Sequence, residues 1–172
     1  MNGFESDSIC KTCGGNCCKT MGCSLSPEDM HVALEGKEAT TEVIEALLQD
    51  SMFAIDSFQM RDGAFYYLRM RHKCFTFIGV DAMGECIALT EIGCSLPFDK
   101  RPKGGRFLEG KEGHQCTQHY TQEMMVKDWE PYQNSLREIW NKWHNQMQQD
   151  GTFDKCEEDY MQYQRTRARN IR

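Results

Sequence analysis

The spacing of apolar residues changes more than once along this chain. At 43, 44, 47 and 48 the residues are Val43, Ile44, Leu47 and Leu48, a one-face helical repeat with acid in its first turn, which predicts a helix over Thr41–Asp50. A shorter helix precedes it. Ser26 reads as its cap, Pro27 as its first residue, Asp29 as the acidic partner of a capping box, and Gly36 as its end. From 53 to 71 the period falls to two. Segments 52–58 and 64–71 flank Asp62-Gly63, the strongest short hairpin signal. In the second segment Tyr66, Leu68 and Met70 share one face, and Phe65, Tyr67, Arg69 and Arg71 share the other. That basic and aromatic face suits an anion, but its expected role is a solvated strand face with amphipathic side chains lying along it.

Helical spacing returns in the last third, where Leu136, Ile139, Trp140, Trp143 and Met147 recur three and four apart. Pro131 suits a first-turn position, Trp129 and Tyr132 extend the stripe backwards, and Gly151 closes it. Packing on the chain's own domain is the expected use of this stripe. Docking of a protein partner on the helix over 129–147 is the alternative. Residues 151–172 read as a polar, locally basic tail, a frayed helix or disordered, with Cys156 as a free thiol in it. Between hairpin and helix, residues 74–116 are rich in glycine, hold Pro97 and Pro102, and spread Cys74, Cys86, Cys94 and Cys116 among them. Regular ladders alone do not hold such a segment, and metal ligands supply the missing cross-links. The expected fold is mostly α with a small antiparallel β-hairpin: a loop-rich, metal-stabilised single domain over 1–150, followed by the tail.

At 172 residues the chain is long enough for one domain with a core of its own. Hydrophobic content of 40% and a mean hydropathy of −0.66 describe a wet surface. A net charge of −6, with no basic stripe before the end, argues against nucleic acid as a partner. No run reaches the roughly eighteen apolar residues of a membrane span, and the first ten residues are acidic and polar, unlike a secretory signal. A cytoplasmic protein is expected, and there ten cysteines favour metal over disulfides.

Half of those cysteines crowd into one stretch: Cys10, Cys13, Cys17, Cys18 and Cys23. The Cys10-x2-Cys13 spacing lets two thiolates converge on one ion. Gly14 and Gly15 follow directly, and at positive φ they let backbone N–H groups turn back toward the sulfurs. Cys17 and Cys18, being neighbours, point apart, so one of them bridges, serves a second metal or is held in reserve. A small echo links Gly22-Cys23-Ser24-Leu25-Ser26-Pro27 with Gly93-Cys94-Ser95-Leu96-Pro97, each placing a Gly-Cys step before a turn. A thiol–disulfide enzyme would want its C-x-x-C at a helix N-terminus after an apolar strand, and none precedes Cys10. No single cysteine stands out with a histidine partner as a hydrolase nucleophile, and no catalytic residue is assigned.

Cys10-x2-Cys13-x3-Cys17-Cys18, followed by Leu25-Ser26-Pro27-Glu28-Asp29-Met30, resembles the opening of the YkgJ family, a zinc- or iron-chelating domain with a CxxCxxCC signature. The stretch from Cys86 to Gly93-Cys94, with Arg101-Pro102 beyond, is similar to that family's second half. The resemblance covers 10–30 and 86–116, and it implies metal chelation more firmly than any reaction. Where the family commonly has Cys-Arg, this chain has Gly105-Arg106, so a ligand is missing or comes from elsewhere; Cys116 is the nearest substitute and Cys23 an added candidate. Cys10, Cys13, Cys17, Cys18, Cys23, Cys86, Cys94 and Cys116 together would fill two four-thiolate sites, with His114 and His119 beside Cys116 as substitute ligands. The C-x2-C-Gly-Gly knuckle favours zinc, or an iron in its place. The iron–sulfur cluster associated with a related flagellin lysine methylase is the alternative, bringing an enzyme or electron-transfer role. A zinc-stabilised protein-interaction module is a further alternative.

Overall fold

Helix α1 (Asp7–Cys13) carries Cys10 and Cys13 on a turn that no apolar period announces. Two glycines end it. Gly14 and Gly15 both adopt a φ of 65°, the Gly15 N–H donates to the Cys10 carbonyl at 3.1 Å, and the Gly14 N–H to that of Lys11 at 3.3 Å. This is a Schellman cap. The positive φ expected of the glycines is present, but their N–H groups serve the helix end rather than the sulfurs. The computed structural model describes residues 3–4, 7–20, 22–73, 84–112, 116–152, 154–155, 158, 161–162 and 165–166.

Helix α2 (Pro27–Ala33) begins as its sequence predicts. The Ser26 hydroxyl accepts the Asp29 N–H at 3.4 Å while the Asp29 carboxylate accepts the Ser26 N–H at 2.8 Å. The same carboxylate then holds a distant segment. It accepts the Lys103 N–H at 2.8 Å and the Arg106 guanidinium at 3.1 Å, which pins α4 (Lys103–Arg106) to the start of α2. Helix α3 (Thr41–Asp50) has its expected bounds, is capped by the Thr40 hydroxyl, and buries Ile44 and Leu48.

Strands β1 (Phe53–Met60) and β2 (Gly63–Met70) pair antiparallel with Ile55 opposite Leu68. The turn lies one residue earlier than Asp62-Gly63 suggests. Met60 pairs with Gly63, so Arg61 and Asp62 are its centre; both keep negative φ, and Gly63 at 123° follows as the residue after a type I turn. A larger correction concerns the strand face expected to be solvated. Phe65 and Arg69 are buried on it, Arg69 to 2% exposure. Arg69 forms an ion pair with Asp56 and donates to the Met70 carbonyl at 2.9 Å. The charge goes inside with that carboxylate as its partner, and the segment around Ser24 pairs along the β2 edge at Arg69.

Two further antiparallel pairs are minimal: β3 (Leu89–Thr90) with β4 (Gly93–Cys94), and β5 (Leu108–Glu109) with β6 (Thr117–Gln118). Helices α5 (Gln122–Trp129) and α6 (Gln133–Gln149) follow, joined by a 3-10 turn holding Pro131. The tryptophan stripe is spent on the chain's own core. Trp129 is wholly buried with its indole N–H on the Leu25 carbonyl at 2.9 Å, and Leu136, Ile139 and Met147 are buried with it. The α6 face lies against the hairpin and α3, where the Trp143 N–H donates to Glu45 at 2.6 Å. Gly151 takes the positive φ expected after the helix end. Among the described residues no helix is long and apolar enough to cross a membrane.

Candidate metal centre

Two segments far apart in sequence are stitched together by main chain. The Cys86 N–H donates to the Cys18 carbonyl at 2.7 Å, the Gly84 N–H to Thr20 at 3.1 Å, and the Met70 N–H to Cys23 at 2.9 Å. The 17–23 run thereby lies along the end of β2 and against the chain entering β3. Glycine permits the contact. A Cβ on Gly22 would stand 2.2 Å from the Met70 carbonyl oxygen, a distance that no side chain tolerates. The Gly22 N–H donates at 3.2 Å to Nε2 of His72, a buried residue bridged to Cys86.

What this assembly encloses is a pocket of about 270 Å3. Cys10, Cys17, Cys18, Cys23, Cys86 and Cys94 all line it, together with Lys11 and Arg101. They divide by depth. Cys86 belongs to the buried core, and Cys18, Cys23 and Cys94 pack against that core, whereas Cys17 is exposed. Both halves of the Gly-Cys echo reach the pocket, Gly22-Cys23 beside β2 and Gly93-Cys94 on β4. Gly105, where the family resemblance leads one to look for a missing cysteine, also lines it. A Cβ there would lie 3.2 Å from the Cys23 sulfur, so the space vacated at 105 is filled by Cys23.

The sulfurs act on one another. The Cys18 S–H donates to Cys17 and holds the Cys17 thiol down at about 6. Cys18 is pushed up, first by that bond, then by burial and by the charges of Cys17, Cys86 and Cys23. Burial pushes Cys23 up, and Cys86 and Cys94 push it further. Burial likewise raises Cys86, and Cys94 adds to it. Cys18, Cys23 and Cys86 thus sit where burial and neighbouring sulfurs oppose ionisation, and a bound cation would relieve that opposition. Among the described residues no three His, Cys, Asp or Glu side chains converge closely enough to hold one ion. The thiols surround a volume, not a point.

Of the other sequence candidates, the structure describes the side chains of Cys116 and His119. Cys13 ends α1, and its side chain, like Cys74, His114 and Cys156, lies outside the described residues. The Cys10–Cys13 pair sits at the C-terminal end of a helix, where the peptide dipoles oppose a thiolate, the reverse of the redox-enzyme arrangement. Cys116 is half-buried just before β6 and does not line the pocket; Gln118 does, and its amide donates to the Gly104 carbonyl at 2.9 Å. His119 stacks on Phe4 at 4.5 Å and meets Glu109 at 3.1 Å on the surface. Sequence reasoning passed over His72 and Lys11, and took Arg101 only as part of the family-like Arg101-Pro102 step. His72 lies between Arg71 and Lys73 in a run that reads as surface, and no pattern marks it for burial. The chain matches no protein-family profile, no curated protein and no solved structure.

Proposed function

We propose that this is a metal-binding cysteine-cluster protein whose pocket holds a thiolate-ligated iron–sulfur centre, with Cys18, Cys23, Cys86 and Cys94 as its four protein sulfurs. The observation that carries the reading is that six cysteines from two distant segments line one cavity of about 270 Å3. A donor set this rich in sulfur suits a thiophilic metal, and iron–sulfur clusters take four thiolates. A lone tetrahedral zinc, bonded to sulfur at about 2.3 Å, draws its ligands together and leaves no interior space. The volume therefore moves the preference from the zinc that the C-x2-C-Gly-Gly spacing favours to a centre of several atoms. Such a centre supplies one-electron chemistry when bound. The chain's own share is to hold the sulfurs, to exclude water with Ala88, Leu96 and Leu108, and to offset negative charge with Lys11 and Arg101. Metal chelation is also what the resemblance to the YkgJ family implies.

The test is metal and sulfide analysis of anaerobically purified protein, with an absorption spectrum. Iron and acid-labile sulfide in equal amounts, with a brown colour lost on exposure to air, are expected. A colourless protein carrying one zinc per chain would keep the thiol site and replace its occupant. A protein that takes up neither metal refutes the reading.

A further inference from the structure

The pocket has more sulfurs than one four-thiolate centre uses, and the surplus is not placed at random. Cys17 is exposed while lining the same cavity as the inner four, which are the core residue Cys86 and the core-packed Cys18, Cys23 and Cys94. It stands one residue from Cys18 within the short 3-10 turn Cys17–Lys19 and does not pack against the core. The Cys18 carbonyl is held by the Cys86 N–H at 2.7 Å, which fixes the inner member of the pair. The Cys17 carbonyl itself accepts from Thr20, from its N–H at 3.2 Å and its hydroxyl at 2.9 Å, while the Thr20 carbonyl is held across the pocket edge by the Gly84 N–H at 3.1 Å. In the Gly14–Gly15 bend leading into the turn, Gly15 is buried against Leu89, whereas a Cβ on Gly14 would meet only the end of Lys19.

We propose that Cys17 is an exchange ligand, an outer thiol that receives iron from a small-molecule thiolate donor and passes it to Cys18, rather than a resident ligand of the loaded site. This rests on the thiolate metal centre proposed above and assigns the route by which that centre is filled and emptied. The chemistry is ligand exchange only. One iron–sulfur bond forms to Cys17 as one breaks to the donor thiolate, which takes up the proton that Cys17 gives away. The second exchange repeats this between Cys17 and Cys18, Cys17 recovering a proton as Cys18 loses one. No electron changes hands. A buried thiol reached directly would need the donor itself inside the pocket, and an exposed sulfur next to it removes that requirement.

The experiment compares wild type with Cys17→Ser, Cys17→His and Cys18→Ser, loaded anaerobically with ferric iron and sulfide in the presence of a thiol reductant, which supplies the electrons a mixed-valence centre takes up. Cys17→Ser is expected to reach the wild-type iron content, spectrum and melting temperature. Its rates of loading, and of iron loss to a ferrous chelator, should fall about tenfold or more, as an added 1.4 kcal/mol of barrier gives. Cys17→His, which restores a donor atom at the mouth, should recover part of the rate. Cys18→Ser should lower the iron content itself. A lowered iron content in Cys17→Ser makes Cys17 a resident ligand and overturns the proposal, and so do unchanged rates. Wild type that binds no iron refutes the metal centre as a whole, a result distinct from those two.

Discussion

Replacing Gly22 by alanine tests the stitch between the first cysteine run and β2 without touching a sulfur. The added Cβ would lie 2.2 Å from the Met70 carbonyl oxygen and 3.0 Å from the Met70 Cβ, so the two chains must part by most of an ångström. The obstacle is backbone, which has no rotamer with which to yield. Parting the chains strains or breaks the Met70 N–H bond to Cys23, now 2.9 Å, and the Gly22 N–H bond to His72, now 3.2 Å. Overpacking costs about 1–3 kcal/mol, and a buried donor left without its acceptor costs about as much again, giving roughly 2–6 kcal/mol. Against a total of about 5–15 kcal/mol for an ordinary domain, that is a large fraction. Urea unfolding of metal-free, reduced protein reads the loss as a lower midpoint with an unchanged slope. Gly36→Ala is the control: nothing lies within 4 Å of its Cβ, and only the φ of 84° opposes it. A Gly22→Ala midpoint matching wild type would mean that the close approach at Met70 is not made in solution.

Three other predictions follow from the same geometry. Metal-free protein should lose stability as pH rises above about 8.5, where unfolded thiols ionise but the raised Cys18, Cys23 and Cys86 thiols do not, since the unfolded chain then binds fewer protons. Loaded protein, whose thiols are already deprotonated, should instead lose stability and metal on acidification; melts across pH that share one slope in both states would contradict this. Cys116→Ser should keep its metal, because Cys116 does not line the pocket, whereas Cys23→Ser should not; metal analysis showing the reverse would return the fourth position to Cys116. Arg69→Ala leaves Asp56 without its ion-pair partner and should cost about 3–5 kcal/mol in denaturant unfolding, with Asp56→Ala in the same chain recovering part of it. Full additivity of the two single changes would show that the pair is not coupled.

The sequence made the regular elements legible wherever one local rule was enough. Ser26 and Asp29 announced the capping box, the 43–48 repeat announced α3, and the tryptophan spacing announced α6 with its buried face. Local rules failed where a distant segment decided the outcome. Arg69 read as solvent-facing because nothing in β2 reveals that Asp56 takes its charge across the hairpin or that the chain near Ser24 pairs along its edge. The turn at 61–62 depends on which residue of the pair opposes Met60, and that register is set across the hairpin. Gly14 and Gly15 suggested a metal knuckle because the polar sequence of α1 concealed the helix that they terminate. The cysteines themselves could be counted, but not sorted. Depth separates Cys17 from Cys18, and it is Cys23 that lies beside Gly105. Both facts arise only when the 84–94 and 104–105 segments arrive against the first run.

The hydrogen bond from Cys86 to Cys18 also sets a clock. Chain growth delivers the first five thiols early, and their partners Cys86 and Cys94 some seventy residues after Cys23. At about 5–20 residues per second the ribosome needs roughly 4–14 s to cover that interval. Throughout it Cys17, Cys18 and Cys23 lack the β3–β4 turn, and until Met70 is made they lack the β2 edge as well. The newborn chain therefore passes through a window in which its most reactive stretch is bare, open to oxidants, to stray ions and to other nascent chains. Closing that window depends on completing the hairpin, because β2 is the surface on which the two cysteine runs meet.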